Sequence, residues 1–162
     1  MMKILRFVFT ACVLASSVFA ADSPKALLEQ LYAAHQPWIH KDALEDDAAL
    51  PHWFDAELVR LILADRHCKA PGWGVGNLDF DPILAAQDYG DHGLGDLRFR
   101  KLPNAGERWE ASFLLFPGIS DRRTKIVYRI VKEKGDWKIG DIEYHDGKVQ
   151  TTLLHILAPK CE

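Results

Sequence analysis

The spacing of hydrophobic residues changes along this chain, from a helical period in the first half to alternation in the second. Ser23-Pro24 predicts a helix start, because serine is a favoured N-cap and proline suits the first helical position. An apolar stripe through Leu27 and Leu31 continues at helical spacing to His35. We expect His35 to be a satisfied residue of the core or its rim, since neutral imidazole tolerates partial burial.

A second helix is predicted to begin at Ala56. Asp55 is its expected N-cap, and Pro71-Gly72 ends the segment. Its inward stripe consists of Leu58, Leu61 and Ile62. The first half of the chain is therefore predicted to be helical.

The second half predicts an antiparallel meander. Leu97 and Phe99 alternate with two arginines, and the apolar residues Trp109, Ala111, Phe113 and Leu115 recur at every second position, as in strands with one buried face. A third strand is predicted over 126–131 from Ile126, Tyr128 and Ile130, with Val127 and Val131 adding apolar character to its second face. Turn-forming residues separate these strands, in the segments 103–106, 117–121 and 134–136.

The last predicted strand changes phase in its middle. Its apolar residues are odd-numbered up to Ile139 and even-numbered from Ile142. One extra residue at Gly140-Asp141, a β-bulge, would return both sets to one face and bend the sheet. With a short helix predicted over 153–157, the fold class is α+β: N-terminal helices packed on a curved, bulged antiparallel sheet, cone-like in shape.

The N-terminus reads as a signal peptide over residues 1–20. Lys3 and Arg6 precede an apolar run that is shorter than the roughly 20 residues needed to span a bilayer. Cleavage is predicted between Ala20 and Ala21, which makes the protein exported and periplasmic. Lipoprotein processing at Cys12 is the minor alternative, with a very short apolar region before it.

The remaining chain, 21–162, has the length of a single domain. Loss of the two cations of the leader takes the formal net charge from −3 to −5, and no basic stripe remains. We therefore expect no nucleic-acid partner, because phosphate binding needs clustered Lys and Arg. No transmembrane segment is expected after cleavage. Cys68 and Cys161 lack redox or zinc-site spacing, so a structural disulfide between them is predicted.

The segment 78–90, LDFDPILAAQDYG, is the most unusual part of the sequence. Asp81 before Pro82 is explained as a helix N-cap. Asp79, Gln87 and Asp88 are left without that explanation. They are candidates for binding a ligand or partner, or for hydrogen bonds to the backbone of the preceding glycine-rich loop. The spacing of the acidic residues does not match a calcium loop, and we expect no metal or cofactor.

Three segments carry a resemblance to a known family: LDFDPILAAQDYG, GDWKIGDIEY and TTLLHIL. They resemble the bacterial exported family of domain of unknown function 3828, whose members are similar to the nuclear transport factor 2-like (cystatin-like) cone fold. The resemblance covers roughly residues 27–157. It implies a fold and a compartment, and it brings no established activity.

Three classes of function stay open on the sequence. The leading one is a non-catalytic binding or protein-interaction module, whose partner is an envelope protein or a small molecule. An inhibitor or immunity protein against a periplasmic toxin fits the same size and export. A small hydrolase or isomerase would use Asp79 or Asp88 as its base. We expect no enzyme and no catalytic residues, because the sequence contains no recognisable catalytic motif.

Overall fold

The computed structural model describes residues 21–67, 76–146 and 149–158. Its helical half consists of α1 (Pro24–Ala34), two 3₁₀ turns (Pro37–Ile39 and Asp47–Ala49), α2 (Leu50–Trp53) and α3 (Ala56–Arg66). The second half is a sheet of five strands followed by a short helix. These are β1 (Gly95–Lys101), β2 (Arg108–Leu114), β3 (Arg123–Glu133), β4 (Asp136–Asp146), β5 (Val149–Thr152) and α4 (Leu153–Leu157).

The five strands form one antiparallel sheet in the order β1-β2-β3-β4-β5, so that each strand pairs with its neighbour in the sequence. The predicted α+β class and the predicted meander are confirmed. Strand β5, which pairs with the end of β4, was not predicted, because four residues are too few to show an alternating pattern.

Both principal helices begin where the sequence predicts. Ser23 Oγ accepts a hydrogen bond from Ala26 N at 3.2 Å, and Asp55 Oδ1 accepts one from Leu58 N at 2.9 Å. These bonds satisfy backbone donors that the first turn of a helix leaves without a partner. Each cap fixes the point at which the helix starts and so the face that it turns to the sheet.

The predicted β-bulge lies in β4. Arg129 of β3 pairs with Asp141 and Ile130 pairs with Ile139, which leaves Gly140 as the extra residue. The bulge allows Ile139, Ile142 and Tyr144 to be buried on the same face. Gly140 also lies against the start of α3, since a Cβ built there would be 2.9 Å from Asp55 Oδ2.

The core lies between α1 and the inner face of the sheet. The ring of Tyr32 makes edge contacts with Phe99, Phe113 and Tyr128, at centroid distances of 5.4, 5.8 and 6.3 Å. Fully buried aliphatic side chains from both halves belong to the same core, among them Leu28, Leu31, Leu58, Ile126, Ile139 and Ile142. Burial of this apolar surface is the main force that holds helices to sheet.

The segment after Asp81 differs from the predicted helix. Residues 82–85 form consecutive turns, and the backbone of Ala85 is left-handed, with φ of +52°. Asp81 N donates to Ala86 O at 2.9 Å and closes the segment into a compact loop. Ile83 and Leu84 are fully buried, so the core holds the loop although it is too short to be a helix. We name residues 80–86 the DP loop.

Two other predictions fall on residues outside those described. Cys68 and Cys161, the predicted disulfide, both lie there, as does the predicted signal peptide of residues 1–20. Among the described residues, no helix has the length and apolar character to cross a membrane.

Candidate functional site

A buried histidine joins α1 to the DP loop. His35 follows the last residue of α1 and is 1% exposed. Its Nε2 lies 2.7 Å from Asp81 Oδ2, and the other oxygen, Asp81 Oδ1, accepts hydrogen bonds from the N–H groups of Ile83 and Leu84 at 2.8 and 3.0 Å. Asp81 therefore serves as a cap for the loop and as the partner of His35.

The second ring nitrogen of His35 is in a different position. Nδ1 lies 3.2 Å from Asp42 Oδ1, but the two are not aligned for a hydrogen bond. Nδ1 is thus buried without a hydrogen-bond partner among the described residues. Asp42 Oδ1 instead accepts a hydrogen bond from Leu44 N at 2.7 Å. The two atoms are therefore close together without a hydrogen bond between them.

Three buried tyrosines hold the DP loop from the side of the sheet. The hydroxyl of Tyr32 donates to Ile83 O at 3.1 Å and lies 3.0 Å from the hydroxyl of Tyr128. The hydroxyl of Tyr144 donates to Pro82 O at 3.1 Å. Burial raises the pKa of all three phenols above the ordinary value of 10.0, so they are neutral donors at neutral pH.

A buried carboxylate, that of Asp65, binds the backbone that follows the glycine-rich loop. Asp65 of α3 is 7% exposed, and its Oδ1 accepts from Asn77 N at 2.7 Å and from Asn77 Nδ2 at 3.0 Å. Its Oδ2 accepts from Leu78 N at 3.2 Å. Gly76 lies so close to this carboxylate that a Cβ there would collide with it. The backbone that follows the loop, at Asn77 and Leu78, is therefore held by Asp65, which the sequence did not single out.

The three candidate residues of the 78–90 segment are all on the surface. Gln87 Nε2 donates to the carbonyl of Asp79 at 3.3 Å and lies 3.5 Å from its carboxylate, so these two residues are brought together. Asp88 is exposed and makes no hydrogen bond to either of them. None of the three lines any of the three clefts described below. Their role as ligand or partner contacts stays a prediction, and their geometry gives no support to a catalytic base.

Three of the clefts on the described surface bear on the site. The histidine cleft, about 380 Å³, contains His35, Asp42, Asp65, Arg66 and Asp81 among its lining residues. The helix groove, about 540 Å³, runs between α3 and the β3–β4 turn and is lined by residues that include Val59, Leu63, Glu133 and Asp136. The sheet-end cleft, about 560 Å³, lies where the DP loop and α4 meet the ends of β2, β3, β4 and β5.

The sheet-end cleft has two kinds of wall. Phe80, Leu115, Phe116 and Ile156 give it apolar surface, and the ring of Phe80 packs edge-on against Tyr144 at 5.3 Å. Hydrogen-bonding side chains line the rest, among them Thr124, Lys125, His145 and Thr151. A cleft that combines apolar surface with hydrogen-bonding groups is a candidate small-molecule site. The sequence could not reveal it, because its residues come from six separate segments.

The histidine cleft contains a His–Asp pair, which could take part in catalysis. A His–Asp pair acts in catalysis when it activates a nucleophile, which in proteins is most often a serine, threonine or cysteine. No residue of these three types lines this cleft within the described part of the chain. The His35–Asp81 pair is therefore interpreted as a structural connection between α1 and the DP loop.

Of the other histidines, His145 lines the sheet-end cleft and His92 is exposed. Burial lowers the pKa of His52, whose ring packs edge-on against Trp53 at 4.3 Å.

The chain was compared with protein-family models, curated proteins and solved structures. No protein-family model and no curated protein matches the chain. Among solved structures, a crystal structure of a protein of unknown function from Bacteroides thetaiotaomicron, at 2.10 Å resolution, is similar at 23% identity and a TM-score of 0.46. The similarity covers 74% of this chain and 87% of that one. It carries no argument about function.

Proposed function

We propose that this chain is an exported, periplasmic and non-catalytic binding module, with a nuclear transport factor 2-like cone as its fold. The N-terminal pattern of Lys3, Arg6 and a short apolar run supports export. The bulge at Gly140, which bends the sheet over the helices, supports the cone. In this proposal the ligand is a small molecule and its site is the sheet-end cleft.

The observation that carries the proposal is the composition of that cleft. Its volume of about 560 Å³ lies within the range of sites that enclose drug-sized ligands. Aromatic and aliphatic side chains provide the area that a ligand buries, and the hydroxyls of Thr124 and Thr151 provide directional contacts. Tyr144 and the DP loop are fixed from behind by buried hydrogen bonds. A preorganised wall lowers the entropy that binding would otherwise lose.

The test is whether the exported protein carries a small molecule in this cleft. The full chain with its leader would be purified from the periplasm without denaturation, and extracted compounds identified by mass spectrometry. Thr151→Trp places a large ring in the cleft, on a strand where tryptophan is well tolerated. His155→Trp is the matched control, because His155 is exposed on the adjacent α4 and does not line the cleft.

The expected result is one compound that accompanies the wild type and His155→Trp and is missing from Thr151→Trp. A compound that accompanies all three proteins equally would place the ligand elsewhere and contradict the proposal. Protein that carries no compound, and does not bind the apolar dye N-phenyl-1-naphthylamine, would contradict it as well. Recovery of the chain with a stoichiometric envelope protein instead would move the function to protein interaction.

A further inference from the structure

The sheet-end cleft and the histidine cleft meet at one aromatic residue. Phe80 lines both clefts, and no other residue in the described part of the chain does so. The two linings are also adjacent elsewhere. Ile156 and Leu157 are consecutive in α4, and the first lines the sheet-end cleft while the second lines the histidine cleft. In the DP loop, Ala85 lines the first cleft and Pro82 the second. The two clefts are therefore neighbours that share a wall.

Two contacts in this wall are fixed by burial. Tyr144 lines the sheet-end cleft, and its hydroxyl donates to the carbonyl of Pro82, in the lining of the histidine cleft, at 3.1 Å. Leu157 is 4% exposed and belongs to the core. Displacing Tyr144 would break a buried hydrogen bond, and displacing Leu157 would leave a hole in the core. These parts of the wall therefore stay closed.

Phe80 is the least constrained part of the wall. Its ring makes an edge contact with the ring of Tyr144, at a centroid distance of 5.3 Å and an interplanar angle of 83°. The side chain has no polar atom, is half-buried and packs against the core from its rim. The DP loop itself is capped by Asp81, independently of this ring. Loss of the ring would therefore open the wall and leave the loop in place.

From this arrangement we infer that Phe80 sets the length of the ligand that the sheet-end cleft accepts. The ligand lies along Phe116 and Ile156 and ends at the Phe80 ring, because that residue is also a wall of the histidine cleft. The ligand is thus a compact, largely apolar molecule and not a long chain. This inference rests on the proposed function and adds to it the size class of the ligand and the residue that selects it.

Two neutral dyes of different length test this assignment. N-phenyl-1-naphthylamine is compact, whereas 1,6-diphenyl-1,3,5-hexatriene is a rod with its phenyl rings at opposite ends. Both would be titrated by fluorescence against the wild type, Phe80→Ala and Phe116→Ala, and the affinity for the rod would be expressed relative to that for the compact dye. Phe116 is the matched control, because it is also a half-buried phenylalanine of the sheet-end cleft and does not line the histidine cleft.

Removal of the Phe80 ring should favour the longer dye. In Phe80→Ala the relative affinity for the rod should rise about tenfold over the wild type, since the rod then buries additional apolar surface. Phe116→Ala should leave the relative affinity unchanged. Adding Leu78→Trp to Phe80→Ala should restore the wild-type value, because Leu78 lines the histidine cleft alone and tryptophan would fill the space that the rod enters. Thr151→Trp should abolish binding of both dyes.

Circular dichroism shows whether each variant is folded. If Phe80→Ala is not, Phe80→Leu retains more of the apolar volume and should raise the relative affinity in the same direction, by about threefold. A relative affinity that is unchanged in the folded Phe80 variant, or that rises equally in Phe116→Ala, would overturn the role of Phe80 and leave the proposed small-molecule site intact. So would a rise that persists when Leu78→Trp is added. Binding of the compact dye that persists in Thr151→Trp would overturn the site and this inference together.

Discussion

His35 Nε2 and Asp81 Oδ2 lie 2.7 Å apart, although 46 positions separate the two residues in the chain. The contact joins the end of α1 to the DP loop, and Asp81 Oδ1 caps the same loop from within. Because the tyrosine hydroxyls bind the carbonyls of Pro82 and Ile83, the loop is held from two sides. It forms a wall of the sheet-end cleft through Phe80 and Ala85.

Replacing Asp81 should destabilise the protein more than loss of a cap does. A cap alone contributes about 1 kcal/mol. Asp81→Ala also leaves the buried Nε2 of His35 without its partner, so we expect about 3 kcal/mol to be lost from the free energy of unfolding in urea. Asp81→Asn retains an oxygen for the loop and should lose about half as much. A loss of only 1 kcal/mol in Asp81→Ala would show that the His35 contact adds nothing.

Gly140 should not tolerate a side chain. A Cβ at this position would lie 2.9 Å from Asp55 Oδ2 and 3.0 Å from Arg129 Nη1, and it would push aside the cap of α3. We expect Gly140→Ala to lower the free energy of unfolding by about 1.5 kcal/mol. Gly90→Ala is the control, because a Cβ there meets its nearest neighbour at 3.4 Å, an ordinary contact. Equal effects of the two substitutions would contradict the proposed crowding at the bulge.

Alkali should unfold the protein through its tyrosines. Burial raises the folded-state pKa of Tyr32, Tyr128 and Tyr144 above 10.0, the value expected in the unfolded chain. Their contribution to stability is therefore fully present below pH 10.0 and is lost as the pH rises above it, because the unfolded chain then releases protons that the folded one retains. Ultraviolet titration should show these phenols ionising together with unfolding, as followed by circular dichroism. Ionisation of all four tyrosines while the fold persists would be inconsistent with their burial.

The predicted disulfide between Cys68 and Cys161 can be tested directly. Mass spectrometry of exported protein without reductant should find the two residues in one linked peptide. A bridge that closes a loop of roughly 90 residues should raise the free energy of unfolding by about 4 kcal/mol over the reduced form. The double variant Cys68→Ser with Cys161→Ser should behave like the reduced protein. Two free thiols in periplasmic material would refute the bridge.

Local signals predicted the framework of the fold because each of them acts within a few residues. The Ser23 and Asp55 caps, the alternating strands and the phase change at Gly140 are all written in short segments. The predictions that were incomplete or wrong depend on residues far apart in the sequence. Asp81 looked like a simple cap because its other partner, His35, lies in a distant helix, and the DP sequence forms turns because buried Ile83 and Leu84 fix the loop from the core.

The candidate site was harder to predict for the same reason. Asp79, Gln87 and Asp88 were conspicuous as a polar cluster, yet they lie on the exposed side of their segment. Thr124 and Thr151 are ordinary strand residues in sequence, and they line one cleft only because β3 and β5 flank β4 in the sheet. A site assembled by strand order leaves no motif in any one segment.

The strand order also determines when each part of the protein can fold. Every pairing in the sheet joins consecutive strands, so only short loops have to close as it forms. The contacts of helix α1 with the sheet are long-range instead, since Tyr32 meets Tyr128 across 96 positions. A chain that emerges N-terminus first therefore produces α1 early and buries it late. Its apolar stripe stays open to other chains and to chaperones until the last strands arrive.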